Sequence, residues 1–164
     1  MIGNDIVDIV QARKESNWQR KGFLQKIFTA NEQLLIAQST TPEITVWLLW
    51  SMKEAAYKIY NRQTTIRAFI PTKLECCLLS DNVTTKTGRV LCFGTMYYTK
   101  STVMNDVIHT IAVSYLKDLN NIIEIENKNI IKDKYGIPYL STAILQDVSI
   151  SHHGKFEKVV VICN

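Results

Sequence analysis

The chain has 164 residues, of which 46% are apolar, and a mean hydropathy near zero; that is enough for one domain with a real core and too little for two. No apolar run reaches the roughly 20 residues of a membrane span, and the chain opens on Gly-Asn-Asp instead of a basic and then an apolar segment, so it reads as cytoplasmic and free of the membrane. Its net charge of +4 is mild and scattered, which argues against nucleic acid and suits an anionic small molecule or an acidic protein partner.

Met1 to Val10 is an apolar, β-branched run with the character of a buried strand, interrupted by Asp5 and Asp8. Three positions apart on a strand, these acids point to opposite faces, so at most one joins any single site. Asp5, close after Gly3, is the better ligand. Asp8 reads as a first-turn or edge carboxylate satisfied by backbone donors.

Between Asn17 and Phe28 the apolar residues Phe23, Leu24, Ile27 and Phe28 recur at helical spacing. Thr29-Ala-Asn-Glu32 is a capping box that opens a helix running to Gln38. Arg13, Lys14, Arg20, Lys21 and Lys26 cluster here, either as a solvated face or as a surface for a partner.

The stretch Pro42 to Tyr60 holds no internal Gly or Pro and is long enough for about five helical turns. Thr41 suits the N-cap and Pro42 the first helical position. Trp47, Trp50, Glu54, Tyr57 and Lys58 fall on one face and Leu48, Met52, Ala55 and Ile59 on another. A helix so apolar all round belongs in a core, where a lone carboxylate needs a cation. Glu54 therefore either pairs with Lys58 one turn on, worth about 0.3–0.5 kcal/mol, or serves a functional site.

Beyond Tyr60 the pattern turns to strands over residues 66–79, 89–99 and 106–116, separated by Asp-Asn, Thr-Gly and Ser-Thr-rich turns. His109 reads as a hydrogen-bonded structural histidine. Residues 120–133 form a polar connector, an edge strand or a helix. A turn on Gly136 and Pro138 leads to Asp147–Gly154 and a last strand over 158–163. Ser149 and Ser151 share one face, and Ser151, His152, His153 and Gly154 offer the donors that a phosphate site requires, or an ordinary hairpin with incidental polar residues. Cys76, Cys77, Cys92 and Cys163 show no CxxC spacing, and neither zinc nor disulfides are expected.

Gly3-Asn-Asp5-Ile-Val-Asp8, Trp50-Ser-Met-Lys-Glu-Ala-Ala-Tyr-Lys58, Gly136-Ile-Pro-Tyr139 and Val148-Ser-Ile-Ser-His-His153 together resemble the motifs of the 4'-phosphopantetheinyl transferase superfamily, in the order and modest length of its holo-acyl-carrier-protein synthase group. The resemblance implies a single α+β domain, residues 1–164, with an antiparallel sheet around a central buried helix. It implies transfer of the phosphopantetheine arm of coenzyme A to a serine of an acidic apo-acyl or peptidyl carrier protein, releasing 3',5'-ADP. By the same resemblance Asp5 and Glu54 hold Mg²⁺, Lys53, Lys58, Ser151 and His152 contact the coenzyme, and Glu54 and Lys58 are catalytic. A homotrimer follows too, with Ser151 and His152 supplied by a neighbouring subunit. A third acid found two positions after the first in larger members is Val7 here. The rival readings are an inert interaction domain docking an acidic partner and a Mg²⁺-dependent nucleotide hydrolase.

Overall fold

The computed structural model describes residues 1–163, Asp81 by its backbone alone. Its elements are β1 (Ile2–Asp8), α1 (Ile9–Glu15), α2 (Phe23–Ile27), α3 (Ala30–Gln38), α4 (Pro42–Thr64), β2 (Leu74–Asp81), β3 (Thr85–Cys92), β4 (Thr95–Met104), β5 (Val107–Val113), β6 (Ile122–Ile125), β7 (Ile130–Lys132), β8 (Pro138–Leu140), β9 (Gln146–His153) and β10 (Phe156–Ile162). The class is α+β, as the sequence implies, but two antiparallel five-stranded sheets replace the one expected: β1-β5-β4-β3-β2 and β6-β10-β9-β8-β7. Among the described residues no helix is long and apolar enough to cross a membrane.

The central helix runs one turn past Tyr60, because the next residue able to end it, Thr65, takes the left-handed conformation at φ 59. Val46, Leu49, Met52, Ala55, Ala56 and Ile59 are buried at 0–1% exposure and join Val90, Tyr97 and Ile108 of the first sheet in the main core. Gly3 makes that packing possible: a Cβ there would collide with the carbonyl oxygen of Ala55.

Several boundaries differ from the sequence expectation for identifiable reasons. The first strand stops at Asp8, whose carboxylate accepts from the Gln11 N–H at 3.1 Å and caps α1; the apolar Ile9 and Val10 belong to that helix, making three short helices before α4 instead of two. Thr29 and Glu32 form the capping box of α3. The run 89–99 is two strands, joined through Phe93 at φ 46 and Gly94 at φ 87. A bulky residue in the left-handed region gives no turn signal in sequence, and here its ring stacks on Tyr60 at 4.8 Å. Thr87-Gly88 lies inside β3, where a Cβ on Gly88 would come within 2.7 Å of Cys77 O and Met52 Cε. The residues before Leu74 are not strand, because Pro71 opens a short 3-10 turn.

Candidate active site

Strand β1 and helix α4 bring the two acids together. Asp5 lies in the middle of β1, with its main-chain oxygen accepting from Ser51 Oγ at 3.4 Å, and both Asp5 and Glu54 line a cavity of about 530 Å³ with Trp47, Trp50, Arg20, His152 and His153. Burial raises the Asp5 pKa, against the charge of Lys58 and the hydroxyls of Ser51 and Ser151. Burial, and then the negative charge of Asp5, push Glu54 up to about 7 although Lys58 opposes. The helical ion pair read from the Glu54–Lys58 spacing does not form: the Lys58 ammonium donates instead to Asn4 O at 2.6 Å and Ile150 O at 3.0 Å. Burial lowers the Lys58 pKa, with Asp5 and Glu54 acting the other way.

The second sheet meets β1 through side chains. Ser149 Oγ accepts from Asn4 N–H at 2.8 Å, Ser151 Oγ from Ile6 N–H at 2.7 Å, and His153 Nδ1 from Asp8 N–H at 3.0 Å. The residue separation is 145 in each pair, so β1 and β9 run in the same direction, and Lys58 closes the junction between them. With Nδ1 accepting, His153 is held as the tautomer protonated on Nε2, which donates to Glu15 Oε2 at 3.1 Å.

The placement of the expected coenzyme contacts is mixed. His152 is exposed and lines both the cavity of Asp5 and Glu54 and a neighbouring one of about 330 Å³, which it shares with Lys58, Lys132 and Gly136. Ser151 is 5% exposed and turned inward, so a direct coenzyme contact is not its role in this fold. Lys53 is corrected more fully: at 0% exposure it donates to Glu32 Oε2 at 2.6 Å, Pro71 O at 2.8 Å and Ile27 O at 2.9 Å, exhausting its three N–H groups. Adjacent positions on a helix diverge by about 100°, so Lys53 points into the core where Glu54 points into the cavity. Within one chain Ser151 donates to Asp5 Oδ1 at 3.3 Å, and His152 lines the cavity that holds Asp5 and Glu54.

Sequence reasoning missed Glu32 as the partner of Lys53, and Ser149 and His153 as acceptors for β1. The period-two spacing Ser149-x-Ser151-x-His153 was the available signal. Arg20, read only as part of a basic cluster, reaches the cavity wall with its guanidinium 5.4 Å from the Phe23 ring centre. Arg13 is taken up by Glu43 at 2.7 Å.

The two acids fit a hard divalent cation. Asp5 Oδ2 is buried with no hydrogen-bond partner, and a buried oxygen left this way is costly unless a ligand or ion satisfies it; Glu54, half-buried, faces the same cavity. Among the described residues no group of three or more His, Cys, Asp or Glu converges, and Mg²⁺ commonly takes only one or two carboxylates beside waters and substrate phosphates.

The model of the 4'-phosphopantetheinyl transferase superfamily matches residues 1–112. The chain belongs to that superfamily. The match carries the Gly3-x-Asp5 and Trp50-to-Lys58 motifs and ends before the Ser149-to-His153 element. The chain is 36% identical over 60 residues to a holo-[acyl-carrier-protein] synthase of Verminephrobacter eiseniae (strain EF01-2), a stretch covering 37% of this chain and 46% of that protein; the match thus spans less than half of the relative's length. The crystal structure of Thermotoga maritima holo-[acyl-carrier-protein] synthase is similar at a TM-score of 0.49 and 14% identity, covering 88% of this chain and 83% of that one.

Proposed function

We propose that this superfamily member transfers the 4'-phosphopantetheine arm of coenzyme A to a serine of an apo-carrier protein, releasing 3',5'-ADP. The observation that carries the reading is the pairing of a buried, unpartnered Asp5 oxygen with a Glu54 held near neutrality in the same cavity. Asp5 and Glu54 would hold Mg²⁺, which when bound supplies positive charge to the pyrophosphate as the leaving group forms.

This chain's own groups account for the remaining steps. The serine oxygen forms a bond to the phosphorus of the phosphopantetheine arm as the bond to the oxygen of 3',5'-ADP breaks. Glu54, or a water held beside it, takes the serine proton. Lys58 is fixed by two main-chain oxygens and keeps one N–H for a phosphate oxygen. His152, which makes no hydrogen bond to any described residue, and Lys132 add cationic or donor groups along the adjoining cavity, suited to the other phosphates of the coenzyme. Arg20 at the cavity wall, with Lys21 and Lys26 exposed nearby, suits the acidic surface of a carrier protein.

Incubation with coenzyme A, Mg²⁺ and apo-carrier proteins from fatty-acid, polyketide and peptide synthesis tests the proposal by intact mass. Gain of one phosphopantetheine on at least one carrier is expected. No gain on any carrier by folded protein, or release of 3',5'-ADP without carrier, would overturn it.

A further inference from the structure

The hydroxyl of Ser151 is placed at a branch point. Its oxygen accepts the main-chain N–H of Ile6 at 2.7 Å, on the residue directly after Asp5, and its proton is directed to Asp5 Oδ1 at 3.3 Å. One side chain thus holds both the strand that carries the acid and one of the acid's two oxygens. The consequence falls on the other oxygen: Oδ1 is engaged, and the buried Oδ2 is left without a partner. Ser149 provides a natural contrast. It sits two residues earlier on the same face of β9, is 3% exposed against 5% for Ser151, and accepts an equivalent β1 N–H, that of Asn4 at 2.8 Å, but has no hydrogen bond to a carboxylate.

We infer that Ser151 is a positioning residue for the cation: by tethering Asp5 Oδ1 and the Ile6 N–H, it fixes the carboxylate rotamer that turns Oδ2 toward Glu54's side of the cavity as the metal-facing oxygen. The inference rests on the assignment of Asp5 and Glu54 as metal ligands. A carboxylate freed from this tether rotates about its Cβ–Cγ bond, whose torsional wells are broad, and must be ordered again when the cation binds. Outer-shell hydrogen bonds to metal-ligating groups typically change metal affinity by about 10- to 100-fold.

The test is a titration of Mn²⁺ into the full chain with coenzyme A present, following free Mn²⁺ by electron paramagnetic resonance, for wild type, Asp5→Asn, Ser149→Ala, Ser151→Ala and Ser151→Cys. Ser151→Cys keeps the buried volume with a weak donor, and stands in if the alanine variant does not fold. Both Ser151 variants are expected to weaken Mn²⁺ binding by about tenfold, while Ser149→Ala, which loses the same kind of main-chain bond, stays within about twofold. Equal weakening by Ser149→Ala and the Ser151 variants would make Ser151 merely structural and overturn the inference, as would unchanged affinity in both Ser151 variants. Unchanged binding in Asp5→Asn would overturn the metal assignment itself, and the role of Ser151 with it.

Discussion

Lys53 and Glu32 form an ion pair of 2.6 Å with side chains 0% and 1% exposed. Glu32 also accepts the N–H groups of Thr29 and Cys76 at 2.8 Å each, so this pair joins α3, α4 and β2. Both charges are desolvated, but every donor and acceptor has a partner, the condition under which such a pair is tolerated.

Replacing Lys53 by Met leaves the Glu32 carboxylate buried and uncompensated, and is expected to destabilise the fold by about 3–5 kcal/mol. The effect belongs in the urea midpoint. A Michaelis constant for coenzyme A that rises in the folded variant, with stability unchanged, would return Lys53 to the coenzyme site.

Glu54 carries the opposite expectation, a gain in stability with a loss of activity. Its folded pKa of about 7 lies above the ordinary 4.5, so the folded state binds the proton more tightly and is favoured below pH 4.5, and that advantage is lost as pH rises through 7. The difference corresponds to about 3 kcal/mol. Glu54→Gln, neutral at every pH, should therefore be more stable than wild type at pH 8 in a chelator by up to this amount, with the gap closing toward pH 5, while transfer is abolished. Equal stability of the two proteins at pH 8 would show that the acid is not strained in the fold.

His109 gives a second pH signature, of opposite sign. Burial, aided by Lys158 and Lys58 and opposed by Glu124, lowers its pKa to about 4, and its Nε2 accepts from Asn4 Nδ2 at 3.3 Å. The unfolded chain binds the proton more readily, so stability is full above pH 6.5 and falls as pH drops from 6.5 toward 4. By linkage the loss at pH 5 is about 2 kcal/mol. His109→Gln should flatten that slope in denaturant titrations at pH 7.5 and pH 5, and an unchanged slope would assign it to other groups.

Charge reversal at Arg20 is expected to raise the Michaelis constant for the carrier at about 0.1 M salt far more than that for coenzyme A. The difference should shrink toward 1 M, as the Debye length falls from about 10 Å to about 3 Å. Equal effects on both substrates would place Arg20 at the coenzyme instead.

One chain places Asp5, Glu54 and His152 on the wall of the same cavity. Mixing Glu54→Gln with His152→Ala, both expected to be severely impaired, should give no more activity than the two proteins measured apart, even after subunit exchange is verified. Recovery on mixing would establish sites shared between subunits, as in the homotrimer that the family motifs imply.

What the sequence determined by itself is local or motif-borne. The Pro42 start and uninterrupted apolar faces of α4 follow from side-chain periodicity, the capping box of α3 from four consecutive residues, and the pairing of Asp5 with Glu54 from the motifs that hold them. Tertiary structure decided what depends on residues far apart. Whether Lys58 answers Glu54 was settled by two main-chain oxygens, on Asn4 and Ile150, that accept from its ammonium at 2.6 and 3.0 Å. The inward turn of Ser151 follows from β9 lying along the open edge of β1, a juxtaposition of residues 145 positions apart. Lys53 and Glu54 are neighbours in the motif yet diverge by about 100° around the helix, so burial of one and exposure of the other to the cavity depended on which face α3 and β2 came to cover.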